Sequence, residues 1–390
     1  MPTHDSSSRH YDLAIAGGGL AGGLIALALA KLRPDLDIVV IEAEEKFGGN
    51  HIWSFFESDV QPAHRWIVDP LISREWDSYE VHFPQYSRQL GNGYFSIESH
   101  NLDRELRRQL PPEALRTGQA AAKIGKGLVQ LADGTEISAH AVLDARGGGD
   151  LSALEIGWQK FYGQMLKLKK PHGLSRPIIM DATVEQIDGY RFVYCLPFSD
   201  TELFVEDTYY ADTAEMDSAE SQRRISEYAA AKGWQIETVL SQENGQLPVI
   251  YGGDFKAFWT ANESVDARAG ARAALIQPIT SYSLPMAVQT ANMIAHMPDI
   301  NQDSLDETLR NLAHRHWKNG KFYRLLCAFL FLGAKPTKRY KTLEHTYAKD
   351  EQLLARFYAG QSTRLDKIRL LTGKPPISIF RAIPLLLKYK

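Results

Sequence analysis

A glycine-rich turn between two buried strands constrains this chain more than any other stretch. Residues 11–16, YDLAIA, read as a short buried strand, GGGLAGG follows, and LIALALAKLRP has a helix pattern that stops at Pro34. DIVVIEA then reads as a second strand, so the unit is βαβ with Gly17-x-Gly19-x-x-Gly22 at its first turn. Glycines let the backbone turn tightly and approach a pyrophosphate, which rests on the helix N-terminus. Glu42 ends the second strand 20 residues after Gly22, where an acid accepts hydrogen bonds from an adenosine ribose. A lone glycine motif is weak, but strand, turn, helix, strand and acid in this order predict a dinucleotide-binding domain. The alternative is a glycine-rich turn that only packs.

The order of the later segments favours FAD over NAD. EKFGGNHIWSFF (45–56) places Gly49 in a loop able to pass close to a cofactor. HAVLDARGGG (140–149) reads as a strand ending in Asp144-x-Arg146-Gly147, of the kind that returns to the nucleotide site in flavoproteins of the two-dinucleotide-domain type. GARAALIQPITSYSLPMAVQTANMIA (270–295) is a glycine-led loop followed by a helix whose N-terminus faces the flavin pyrimidine or ribityl phosphate in such proteins. Each segment taken alone also reads as an ordinary turn.

Between about 155 and 260 the pattern becomes strand-rich, with "DG" and "FSDTE" turns. It predicts a sheet laid over the nucleotide domain, with a pocket between them. Trp158, Phe161, Tyr190, Phe192 and Tyr194 are its candidate lining, although aromatic stripes in a sheet are usually core. Within TELFVEDTYY, the adjacent acids Glu206 and Asp207 interrupt a strand. Alternation sends neighbours to opposite faces, so at least one of them points at something buried.

A chain of 390 residues accommodates two or three domains, and 44% hydrophobic content supports a real core. The expected division is a disordered tail over 1–10, an FAD-binding domain from 11–60, 95–155 and 265–300, a substrate-binding sheet domain from 61–94 and 156–264, and a basic helical region over 301–390. The net charge of −3 argues against nucleic acid as a partner, and no base-stacking motif is present. Two cysteines, Cys195 and Cys327, exclude a disulfide framework and read as buried thiols, so no metal is expected. The polar start MPTHDSSSRH lacks the apolar stretch of a signal peptide, and LLCAFLFLGA (325–334) is too short to span a bilayer. Residues 318–390 carry 16 Lys+Arg against 4 Asp+Glu, on an otherwise acidic body. Apolar stripes with such a charge predict a membrane surface as partner.

The segments GGGLAGGLIAL, GGNHIWSF, GWQKFYGQ, PHGLSRPIIMDATVEQIDGYRFVY, FVEDTYY, YSLPMAV and ARFYAG resemble bacterial lycopene β-cyclases, in order and over almost the whole chain. The resemblance implies a peripheral protein on the inner, cytoplasmic face of the cell membrane. It implies a carotenoid cyclase that closes the linear ends of lycopene, through γ-carotene, to β-carotene. Protonation of a terminal double bond gives a tertiary cation, a neighbouring double bond attacks it, and proton loss completes the ring. FAD in its reduced form, supplied with electrons by NAD(P)H, would stabilise the cation electrostatically. By this resemblance Glu206 and Asp207 are the catalytic acids, with Glu206 held protonated by an apolar pocket; the alternative is a structural acid satisfied by Arg191 or backbone N–H groups. Arg104, Pro278, Ser281, Tyr282 and Ser283 join the glycines, Glu42, Asp144 and Gly147 at the cofactor, and Met165 joins the substrate pocket.

The chain departs from the family in three places, one of them NHIWSFF where members read NHTWSFH, which loses a polar pair at Ile52 and Phe56. Members read RAGLFHPTTGYS where this chain has RAALIQPITSYS, so Ala274 and Ser281 replace glycines and Gln277 a histidine. Met165 stands where members have a carboxylate. These changes keep two rivals in view, a redox flavoenzyme acting on another polyene and a non-catalytic carotenoid- or flavin-binding relative.

Overall fold

In the computed structural model, residues 9–262, 265–372 and 379–389 are described. The predicted βαβ unit is present as β1 (His10–Ala16), α1 (Leu20–Leu32) and β2 (Ile38–Ile41). The expected tail lies outside the described residues up to Ser8, and His10 already begins β1. There follow β3 (Ile52–Phe56), β4 (Arg74–Trp76), β5 (Tyr79–Phe83), β6 (Tyr86–Leu90), β7 (Tyr94–Glu98), α2 (Ser99–Gln109), β8 (Leu115–Arg116), β9 (Ala121–Gly125), β10 (Leu128–Leu131) and β11 (Glu136–Asp144). A six-stranded sheet has the order β8-β2-β1-β11-β10-β9. Its centre is parallel, with Ala16 in register with both Ile41 and Asp144. Three strand ends therefore converge beside the glycine turn, where ligands of open parallel sheets bind.

The second half begins with β12 (Leu154–Leu168), β13 (Ile178–Asp181), β14 (Tyr190–Pro197), β15 (Glu202–Ala211), α3 (Ser218–Ala231) and β16 (Ile236–Gly253). With β5 and β6 these strands make a seven-stranded sheet, β16-β12-β15-β14-β13-β5-β6. The segment expected to belong whole to the substrate domain, 61–94, is divided. β5 and β6 join this sheet, whereas β4 pairs with β7 in a small third sheet, β3-β7-β4, standing between the halves. In that pairing Trp76 lies opposite Tyr94.

Period-two alternation gives the large sheet two different faces. On one, Val193, Cys195, Leu203 and Val205 pack under Ile225 and Tyr228 of α3. On the other, Tyr190, Phe192, Tyr194, Phe204 and Tyr210 join an aromatic core with Phe56, Tyr94, Tyr347 and Tyr358. A separate aliphatic core fills the nucleotide half.

The chain continues through α4 (Phe255–Ala261), α5 (Leu284–Ala295), α6 (Gln302–Asn319), α7 (Lys321–Ala328), α8 (Tyr340–Tyr347), α9 (Glu351–Tyr358), α10 (Arg364–Leu371) and α11 (Ile379–Tyr389). α8 and α9 close over the aromatic core through Tyr347, Leu354, Phe357 and Tyr358. α10 and α11 instead turn Leu365, Ile368, Phe380, Ile383 and Leu387 outward, Phe380 with 85% of its surface exposed. Among the described residues no helix is long and apolar enough to cross a membrane.

Candidate active site

The site forms where the aromatic face of the large sheet meets the glycine turn. A cavity of about 180 Å³ runs from Leu20, at the start of α1, to Glu206 on β15 and Glu243 on β16. Ser281, Tyr282 and Ser283 line it from the loop before α5, and Trp53 and Ser54 line it from β3.

Gly163 of β12 explains how two acids reach one cavity. It pairs with Glu206 on one side and with Glu243 on the other. Residues directly opposite share a face, so both carboxylates rise on either side of a position with no side chain. A Cβ at Gly163 would lie 2.4 Å from the Phe204 ring, so glycine is required for β12 to fit under that ring.

Both acids are buried, Glu206 with 9% and Glu243 with 8% of its surface exposed. Burial pushes the Glu206 carboxyl up to about 7; the Thr208 hydroxyl, which donates to Oε1 at 2.5 Å, opposes the rise, and the charge of Asp207 adds to it. Glu243 is also held well above the ordinary range, first by burial and then by the charge of Glu206, against the Ile52 N–H that donates to Oε2 at 2.8 Å. Two buried carboxylates on one cavity resist ionising together. The pair therefore keeps a proton near neutral pH.

The structure does not bring Asp207 to this cavity. One residue on from Glu206, it points to the α3 face, where Arg191 Nε donates to it at 2.7 Å and the Tyr209 hydroxyl at 2.5 Å. Burial raises its pKa, and Arg191 and Tyr209 work against that rise. Of the two readings of a strand acid, the ion-paired structural one describes Asp207, and the buried acid beside a cavity describes Glu206.

The expected pocket residues divide by the same alternation. Phe161 and Tyr194 line the cavity. Phe192 lines a smaller one of about 20 Å³ on the other side of Glu206. Met165 and Tyr190 are buried on the same face without lining either cavity. Trp158 is a correction: it pairs with Ala211 and Pro248, one residue out of phase with Gln159, and so stands on the opposite face. Tyr94 and Tyr194 share a hydrogen bond of 2.8 Å, and Tyr194 donates to Ser54 at 2.9 Å, which fixes the aromatic wall.

At the nucleotide end the glycines fit their expected task. Gly17 has φ +105°, and a Cβ at Gly22 would stand 1.9 Å from the Gly17 carbonyl oxygen. The space above Gly19 is open, and α1 begins there without a side-chain cap. Its first N–H groups are left for an anion. Glu42 accepts from Gly18 N at 2.8 Å, which places its carboxylate at the turn. Gly49 is left-handed at φ +65°, and Gly147 leaves open space.

Asp144 is fully buried. Arg146 donates to it at 2.9 Å and Arg272 at 3.1 Å, so it clamps β11 to the 265–272 segment. Burial alone would raise its pKa, but Arg146 and Arg272 outweigh burial and hold it below the usual range. Arg104 is exposed on α2, 3.9 Å from Glu105.

The altered loop carries backbone strain. Ala274 at φ +52° and Ser281 at φ +57° are left-handed, a conformation costing a residue with a Cβ about 1–2 kcal/mol. These are the two positions where the resembled family has glycine. Ser281 regains a hydrogen bond to the Pro248 carbonyl at 2.7 Å. Gln277 caps the loop by accepting from Ile279 N at 2.5 Å and Thr280 N at 3.1 Å, and the Cys327 thiol donates to the Pro278 carbonyl at 3.2 Å. Pro278 holds the loop without lining the cavity.

Glu243 and Gln159 are site residues that sequence reasoning missed. Residues 237–242 of β16 are all exposed, so no hydrophobic alternation marks Glu243 as the inward position. Only the register opposite Gly163 reveals it.

Comparison with known proteins follows the same outline. A profile of the family described as "Lycopene cyclase protein" matches residues 12–383. Lycopene beta-cyclase of Pantoea ananas is 43% identical over 96% of this chain and 97% of its own length. That of Pseudescherichia vulneris is 42% identical over 95% and 96%, and that of a Paracoccus species 38% over 96% of each. Among solved structures, a flavin-dependent brominase superposes with a TM-score of 0.58 at 13% identity, covering 90% of this chain and 94% of that one. A geranylgeranyl bacteriochlorophyll reductase-like protein from Thermoplasma acidophilum gives 0.58 at 13%, covering 98% and 100%. These last two show the fold alone, an α/β architecture shared with flavin-dependent oxidoreductases.

Proposed function

The chain belongs to the lycopene cyclase family, and on that premise we propose that it is an enzyme closing the linear ends of lycopene into β-ionone rings, without net redox change, by way of Glu206. The observation that carries the reading is a pair of buried carboxyls, Glu206 and Glu243, facing each other across Gly163 on an aromatic cavity that reaches the dinucleotide turn. Glu206 gives its proton to the terminal double bond, leaving a tertiary cation among the rings of Phe161, Tyr194 and Tyr282. The next double bond attacks and closes the ring. Glu243 accepts the proton lost from the ring carbon beside the cation. Return of that proton to Glu206 across Gly163 restores the starting state, so atoms balance and substrate and product are isomers.

Gly17, Gly19, Gly22 and Glu42 suit an FAD adenosine diphosphate, and Ser281, Tyr282 and Ser283 suit the flavin end. When bound in its reduced form, with NAD(P)H as electron source, the flavin supplies negative charge beside the cation. The left-handed Ala274 and Ser281 keep the backbone path that glycines provide in the family, which supports a retained flavin loop. The exposed apolar residues of α10 and α11, set among Arg364, Lys367, Arg369, Arg381 and Lys388, suit the anionic inner surface of the cell membrane.

The test is expression in a lycopene-accumulating bacterium beside Glu206→Gln. The expected products are β-carotene from the unaltered chain and lycopene alone from the variant. Unchanged lycopene from both, with folded protein present, would overturn the reading.

A further inference from the structure

A second cavity, of about 280 Å³, lies outside the site described above. It is a groove among α7, α8, α9, α10 and α11, with Leu326, Leu330, Thr346, Phe357, Leu371 and Leu386 on its walls. Its outer end is part of the exposed apolar face, because Leu371 is 46% and Leu386 37% exposed. Its inner end reaches Ile279.

Only one residue of thickness separates this groove from the small cavity behind Glu206. Ile279 lines the groove and Thr280 the inner cavity; Thr346 and Tyr347 divide in the same way, as do Phe357 and Tyr358. The loop before α5 and the consecutive helices α8 and α9 thus present successive side chains to the two sides of one wall. The wall rests on the 277–281 loop, held by the Tyr210 hydroxyl donating to the Ile279 carbonyl at 3.0 Å. A helix packed only for stability has no need of an apolar groove opening onto an exposed apolar face, and well-packed interiors leave few such voids.

We propose that this groove is the binding site for the polyene chain of the substrate. It would hold the stretch next to the reacting end and lead that end from the bilayer, past Ile279, to Glu206. The inference rests on the lycopene reading and adds a subsite to it. The catalytic cavity at about 180 Å³ takes an end group, and a long apolar chain needs a continuous apolar path for the remainder. The groove supplies that path from the face carrying Phe380 and Leu387, which are 85% and 78% exposed, as far as the one-residue wall at Ile279, which the end group must pass to reach Glu206. Among the described residues its lining holds no Asp, Glu, Lys or Arg that a polyene would have to desolvate, and burial favours the uncharged form of His345.

The experiment uses the full chain on phosphatidylcholine–phosphatidylglycerol vesicles carrying lycopene. Thr346→Trp sets an indole across the groove, and Leu386→Trp does the same at its exposed mouth, where the fold is least disturbed. Each is expected to lower kcat/KM about tenfold or more, chiefly through KM, with vesicle binding unchanged. In the inactive Glu206→Gln background, bound lycopene should show an induced circular dichroism in its visible band, and both tryptophan variants should abolish it. Wild-type kinetics in Leu386→Trp, or an undiminished dichroic band in either double variant, would overturn the proposal. If the unaltered chain leaves lycopene uncyclised while the dichroic band is present and groove-dependent, the cyclase reading fails and the polyene site stands.

Discussion

Glu206→Gln tests the electrostatics of the site through stability, independently of turnover. Burial raises the Glu206 carboxyl from an ordinary 4.5 to about 7. At about 1.4 kcal/mol per tenfold change in proton affinity, that is about 3 kcal/mol between the folded and unfolded chain. The sign follows from proton counting. Between 4.5 and 7 the folded chain holds a proton that the unfolded chain has lost. The contribution is therefore full below 4.5 and is lost as pH rises through about 7. Glutamine cannot ionise, so the variant lacks this dependence. It places an amide beside the Thr208 hydroxyl, with a hydrogen-bond mismatch of about 1 kcal/mol at every pH.

The gap between variant and unaltered chain should thus move in favour of glutamine by about 2.5 kcal/mol from pH 5 to pH 8. For a chain of this length that is about 3 °C in Tm. Thermal unfolding of both proteins at five pH values between these limits measures it. A gap that stays constant with pH, or that moves in favour of glutamine toward acid, would refute the argument that Glu206 is a protonated buried acid. Glu243→Gln should move in the same direction, because its carboxyl is raised by burial and by the charge of Glu206.

Three further predictions follow from named contacts. Thr208→Val removes a donor to the ionised form of Glu206. A hydrogen bond to a charged group is worth about 1.5–3 kcal/mol, so the alkaline limb of the cyclisation pH profile should rise by about one to two pH units; an unmoved limb contradicts the contact. Asp207→Asn strands the buried Arg191 guanidinium and should cost about 3–5 kcal/mol of stability by denaturant unfolding, while in the surviving folded fraction the alkaline limb of the pH profile should move toward acid, because the charge of Asp207 that helps to raise Glu206 is gone. Gly163→Ala drives a methyl against the Phe204 ring and should cost about 1–3 kcal/mol with a matching loss of turnover, whereas Gly147→Ala, which meets nothing within 4 Å, should leave unfolding midpoints unchanged.

The acid pair shows most clearly where sequence legibility stops. Glu206 is visible in the chain as an acid inside a strand, and its resemblance to FVEDTYY-type segments marks it for chemistry. Its partner is not visible, because Glu243 sits in an exposed, polar stretch and becomes a site residue only through pairing with Gly163. Trp158 fails for the complementary reason: its residue type suits a pocket, but one step of strand phase sends it to the other face.

What the sequence by itself determined is what depends on neighbours along the chain. The βαβ turn, the strand acids, the division into nucleotide and sheet halves and the basic apolar helices all follow from local spacing, since glycine conformation, helix periodicity and strand alternation act over a few residues. Tertiary structure alone decided which face each acid occupies, which of β4, β5 and β6 belongs to which sheet, and that the groove of the last helices lies one residue from the cavity behind Glu206. Register and packing between segments far apart in sequence set those distances, and no local pattern encodes them.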